Sequence, residues 1–362
     1  MGEEYAWLYE LDPREGDPRG LADIAARLQC EGSTHIAASF YDHAFALDPS
    51  DEGIARARAE VLDSLAVVEH RIVFRYVPRR RYLMGSSTGE ADEQPVHPVL
   101  VGGFWLSETP VSWASFAHLM DWSPPPFSHP KDPPSGDRTM FMLNEANKIR
   151  LQYCEDGTVA ARDWHAHGAA EGSDLQELFG AVPREDPRRP IRYDRKPMVS
   201  VAWEEAVELA NRISDDRVTY RLPTEAEWEA AARGGLVGRR YSWGDAAPSR
   251  DICDAERFDH FSILPSRQLP PNGYGLYGMC GGVWEWTSDW YDAEYYGQSP
   301  AVDPTGPGLG TERVLRGGSW ADCADVVTVS FRNSRDQSPW WIGEWGKHMT
   351  PNIGFRLCRL QA

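Results

Sequence analysis

The last third of the chain is written in glycine pairs and tryptophans. Gly281-Gly282 and Gly317-Gly318 permit tight backbone that other residues resist. Trp284, Trp286 and Trp290 crowd one short segment, and each indole offers a large area to bury. From Gly235 to Leu360 the pattern predicts turns and short aromatic strands, with a core made of large rings rather than long regular elements.

Helical signals lie upstream. SVAWEEAVELANRIS places Trp203, Val207, Ala210 and Ile213 on one helix face. In VTYRLPTEAEWEAAARGG, Thr224 is the N-cap and Glu227 follows three residues later, a capping box. Gly234 and Gly235 stop that helix. Arg221 and Glu227 offer charges to pair at the strand-to-helix corner. VVEHRIVFRYVP, from Val67, alternates and is β-branched, so it reads as one strand. VSWASFAHLM starts a helix behind Pro110.

Residues 1–66 form a separate helical segment. Ile36, Phe40, Ala44 and Leu47 recur at helical spacing, as do Ile54, Ala57, Val61 and Leu65. Asp48-Pro49-Ser50 breaks the run, and Ser50 or Asp51 can cap the next helix. The arrangement resembles one tetratricopeptide-like hairpin, either packed on the main domain or available to a protein partner. Residues 67–362 make the main domain, with a Pro-rich, irregular insertion at about 124–194 that holds one helix, NEANKIRLQYCED. The fold class is α+β, with little regular secondary structure beyond the N-terminal helical segment.

The net charge is −18 over 362 residues and the basic residues are scattered, which sets a nucleic-acid partner aside. No apolar run is long enough to span a membrane. The acidic N-terminus carries no secretory pattern, so cytoplasmic residence is expected. None of the six cysteines forms a C-x-x-C pair, which points to free thiols in a reducing compartment.

Seven segments then line up in order. They are YLMGS from Tyr82, P-x-H-x-V from Pro95, YRLPTEAEWEAAARGG from Tyr220, YSWGD from Tyr241, PPNGYGLYGMCGGVWEWTSDWY from Pro270, RVLRGGSW from Arg313 and NIGFRLCR from Asn352. Together they resemble the hallmarks of the formylglycine-generating-enzyme (sulfatase-modifying-factor) superfamily, shared with ergothioneine sulfoxide synthases and the pyoverdine maturation oxidase. That resemblance implies a C-type-lectin-like fold and an oxidoreductase-like activity on a peptide or small molecule.

The resemblance also implies metals. Calcium is expected at a first loop, on the Asp254 and Asp259 carboxylates and the carbonyls of Ala255 and Phe261, because oxygen donors suit it. At a second loop, the carbonyls of Gly281 and Val283 and the Glu285 carboxylate remain, while Gly278 and Gly282 stand where the family has Asn. The family's copper is held by two cysteines after the GGS motif, and paired thiolates suit copper(I). The matching positions here carry Asp322 and Val327, with Cys323 one residue late, so formylglycine generation is not expected. His165 and His167, in an expected loop, could hold zinc, copper or iron with a third ligand such as His348 or Cys323.

The expected catalytic residues are Cys323, Arg332 and His348. The segment QSPWWIGEWGKHMT adds Trp340, Trp341 and Trp345, expected with Trp320 to contact a peptide or small-molecule ligand. A second reading is a non-catalytic binding module, because the variable proteins of diversity-generating retroelements end in the same GGSW…NxGFR frame.

Overall fold

A computed structural model describes residues 4–121, 195–199, 201–256, 263–337 and 352–361, and the backbone alone of 340–343 and 346–349. The helix expected at NEANKIRLQYCED lies outside the described residues.

Three helices open the chain: α1 (Pro18–Cys30), α2 (Thr34–Leu47) and α3 (Glu52–Ser64). Asp17 caps α1 and Pro18 occupies its first position, where a missing N–H costs nothing. Asp51 caps α3, accepting from the N–H groups of Gly53 and Ile54.

These helices are fixed to the main domain by a buried charge. Asp42 of α2 accepts from Arg58 Nε at 2.8 Å, Arg80 Nη1 at 2.8 Å and the Tyr274 hydroxyl at 2.9 Å. Burial pushes the Asp42 carboxyl up, but Arg80 and Arg58 outweigh it and hold it below its ordinary range. Arg58 goes on to the carbonyls of Gly273 and Gly234, at 2.8 and 3.0 Å.

The expected strand from Val67 is instead a hairpin of β1 (Val67–Glu69) and β2 (Ile72–Val77). His70 and Arg71 turn it with φ of 51° and 62°, the twist that a two-residue turn demands. The sequence hides this turn because neither residue is glycine or asparagine. These strands join β5 (Phe104–Ser107), β13 (Cys358–Gln361) and β6 (Val218–Arg221) in one antiparallel sheet, ordered β1-β2-β5-β13-β6. A separate pair holds β3 (Arg80–Met84) against β4 (His97–Val101).

Helix α4 (Trp113–Leu119) follows β5, and α5 (Trp203–Ile213) precedes β6. Helix α6 (Glu225–Ala232) leaves β6 through the expected capping box, Thr224 with Glu227. Arg221 grips Glu227 with both guanidinium nitrogens at 2.6 Å, so the corner is rigid. Gly234 and Gly235 end α6 with φ of 59° and 94°.

The sheet that carries the candidate site is ordered β12-β7-β8-β9. It combines β7 (Trp284–Trp290), β8 (Arg313–Arg316) and β9 (Asn333–Arg335) with β12 (Ile353–Phe355), which runs parallel to β7. A hairpin of β10 (Trp340–Gly343) and β11 (Gly346–Met349) lies in the chain between β9 and β12. Among the described residues, no helix is long and apolar enough to cross a membrane.

Candidate functional site

The GGS segment leaves β8 and reverses at once. Gly317 and Gly318 have φ of 99° and 70°, and a Cβ on Gly318 would meet Val327 Cγ1 at 2.7 Å. With no side chain at Gly318, Val327 packs directly against the turn and is fully buried.

The tight turn aims Ser319 at Asp322. The Ser319 hydroxyl donates to Asp322 Oδ2, which also accepts the Ser319 N–H at 2.9 Å. The Asn352 amide donates to Ser319 Oγ at 3.1 Å, and the Trp284 side chain also bonds to the Asp322 carboxylate. Burial still pushes the Asp322 carboxyl above its usual range, against these hydrogen bonds.

Asp322 faces a cleft of about 480 Å³, walled by Trp284, Glu312 and Leu315, by Asn333 to Asp336, and by Asn352 and Ile353. Strand β9 supplies the most polar wall, where the Ser334 hydroxyl donates to Glu312 Oε2 at 2.6 Å. The β10–β11 hairpin lies in the chain between Asp336 and Asn352, both of which line the cleft.

The structure separates the expected site residues. Arg332 is buried in an ion pair: its Nε and Nη2 hold Glu225 at 2.7 and 3.0 Å, and its guanidinium lies over the Tyr296 ring. Trp320 is fully buried and packs in the core. Cys323 is exposed and is not among the residues walling the cleft. Trp340 and Trp341 start β10, and Trp341 pairs in register with His348 of β11. Trp345, His165, His167, Asp259 and Phe261 lie outside the described residues.

The calcium loops divide in the same way. Asp254 is buried, its Oδ2 accepts the Leu264 N–H at 3.1 Å, and its carbonyl accepts the Gly282 N–H at 2.8 Å. Ala255, beside it, is half-buried against the core. Nearby Lys196 is buried too. Burial pushes its ammonium down to about 7, and the Asp254 charge opposes that fall. Glu285 is not a free calcium ligand. Arg356 Nε takes both of its oxygens, and Trp228 Nε1 donates to Oε2 at 2.7 Å. Among the described residues, no three His, Cys, Asp or Glu side chains converge as they would around a metal ion.

The copper of the family does not fit the residues present. The two positions that the resemblance gives to thiolates hold a hydrogen-bonded carboxylate, Asp322, and a buried methyl pair, Val327. Copper(I) prefers soft sulfur to either. The cleft is hidden in the sequence, because Glu312, Asn333 and Asn352 come from three separate strands or loops and form no motif.

The architecture is that of a C-type-lectin-like domain built around a GGSW turn. The chain belongs to the family described as the sulfatase-modifying factor enzyme 1-like domain, whose model matches residues 76–360. A formylglycine-generating enzyme from Streptomyces coelicolor is 39% identical over 301 residues, covering 77% of this chain and 87% of the relative. Treponema denticola variable protein 1 shares the fold with a TM-score of 0.55 at 21% identity, covering 81% of this chain and 97% of that one. PvdO from Pseudomonas aeruginosa does so with a TM-score of 0.55 at 18% identity over the same shares.

Proposed function

We propose that this chain binds a peptide or small polar molecule in the cleft over Asp322, and that it does not generate formylglycine. The observation that carries the reading is the carboxylate at Asp322 with Val327 buried beside the GGS turn. Without paired thiolates the chain has no soft donor set for copper(I) at this place. What it keeps is a concave cleft in which polar groups of several strands and loops converge, with Trp284, Leu315 and Ile353 supplying apolar surface beside them.

The test combines metal analysis with oxygen uptake. Protein purified without chelator is assayed for copper and iron, then given cysteine-containing peptides and small thiols in an oxygen electrode. Sub-stoichiometric copper and no oxygen uptake are expected. Aldehyde formation on a cysteine peptide overturns the reading.

A second reading is an oxidoreductase of the same family acting on a peptide or small molecule. The 39% identity to the Streptomyces coelicolor formylglycine-generating enzyme favours it. Stoichiometric iron or copper together with oxygen uptake from a small thiol would establish it. Calcium at the Asp254 loop fits either reading, since a bound ion raises stability by mass action. A rise in melting temperature on adding calcium, abolished in Asp254→Asn, is its signature.

A further inference from the structure

Resting on that reading of the cleft, we infer that Asp322 makes it a receptor for a protonated amine or guanidinium, presented by a peptide side chain or a small molecule. The copper mismatch is the starting point. At the position the family resemblance gives to a thiolate, this chain holds a hard anionic oxygen acceptor, half-buried beside the GGS turn and lining a cleft of about 480 Å³.

The position of the carboxylate is built rather than incidental. Gly317 and Gly318 force the turn, the Ser319 N–H and hydroxyl fix one oxygen, and Asn352 orients the hydroxyl. A group so held keeps its direction when a ligand arrives. Among the described residues the other charged walls are Glu312 and Asp336, set against Arg335, so acceptors outnumber cations there. Asn333 adds an amide carbonyl that accepts from N–H donors. Among the described residues Asp322 is satisfied only by neutral donors, and such a carboxylate gains most from a cation, because charge-assisted hydrogen bonds are roughly twice as strong as neutral ones. Its raised proton affinity agrees with the same need.

Isothermal titration tests the idea on the full chain. Agmatine probes a free small molecule, and acetyl-Ala-Lys-Ala-amide probes a peptide side chain. n-Butanol and butyrate are the neutral and anionic controls. At pH 8 an amine is expected to bind, with the preferred probe naming the source, and the controls are not. Asp322→Asn is expected to weaken amine binding about ten-fold to a hundred-fold, the range for losing one charge-assisted hydrogen bond. If that variant does not fold, the wild-type order of amine over butanol and butyrate decides the matter alone. Binding of butyrate or butanol as tight as the amine overturns the inference, as does unchanged amine affinity in a folded Asp322→Asn. Absence of amine binding at millimolar concentration overturns it too. Each of these outcomes leaves the reading of a cleft without copper standing. Aldehyde formation from a cysteine peptide defeats that reading instead.

Discussion

Arg356 Nε donates to both carboxylate oxygens of Glu285, at 2.9 and 2.8 Å, in a part of the core where neither side chain is exposed. Its other nitrogens reach the carbonyls of Ser107, Glu108 and Tyr277. One guanidinium thus ties β7, the end of β5 and the Tyr277 loop together. Removing one partner of such a pair leaves an uncompensated buried charge. Glu285→Gln and Arg356→Met are each expected to cost about 3–5 kcal/mol in urea unfolding. The double variant should cost clearly less than the sum, because neither charge is then stranded. Additive losses would show that the two act independently.

Asp42 makes the N-terminal helices part of the folding unit. Its partners Arg80 and Tyr274 lie in the main domain and Arg58 lies in α3. Asp42→Ala strands two buried guanidinium groups, so a loss of about 3–5 kcal/mol is expected. Unfolding should stay a single transition by far-UV circular dichroism and tryptophan fluorescence. Two separated transitions in the wild type would mean that residues 1–66 fold alone. Gly235→Ala should be similarly harmful, because its φ is 94° and the new Cβ would lie 2.5 Å from Arg58 Nη2.

The regular parts were legible in the sequence because their signals are local. The Thr224–Glu227 box, the Asp51 cap and the glycines after Ala232 each act within a few residues. The family segments fixed the architecture in the same way. The His70–Arg71 turn was not legible, since left-handed backbone at a histidine and an arginine is imposed by strand pairing across it. The partner of Arg332 was not legible for a related reason. An arginine in a ligand frame and an arginine buried against Glu225 look identical until the distant partner is known. The cleft failed to appear because its walls meet only in three dimensions.

Asp289 should give the fold a pH dependence of its own. Burial first, and the Glu225 charge second, push its carboxyl up to about 8. Oδ2 accepts the Glu225 N–H at 2.9 Å and the Ser288 hydroxyl at 3.0 Å. The folded state therefore keeps a proton that the unfolded chain releases near the ordinary aspartate value. Stability tied to this group is fully present below that value and is lost as pH rises toward about 8. The slope cannot exceed about 1.4 kcal/mol per pH unit. Asp289→Asn removes the titration while an amide oxygen can still accept both bonds. Its melting temperature relative to wild type should climb between pH 5 and pH 8, by thermal scans in matched ionic strength. A difference that stays flat across that window would place the carboxyl in the ordinary range.

Putting thiolates back at positions 322 and 327 tests whether their loss is what denies this chain copper. Val327 is fully buried against Gly318, and cysteine is small enough to take its place at little cost. Asp322 is held by Ser319 through an oxygen that a thiolate can imitate as an acceptor. Asp322→Cys with Val327→Cys restores both sulfurs at the positions that the family gives to its copper ligands. The double variant is expected to take up one copper(I) per chain in competition with a chromogenic copper(I) chelator. The wild type and each single variant should release copper to the chelator, because one thiolate lacks the second donor of a linear site. Retention by the wild type would mean that another donor set in the chain suffices. Failure of a folded double variant to retain copper would break the correspondence of Asp322 and Val327 with the thiolates, and with it the reason for denying this chain the family's own reaction.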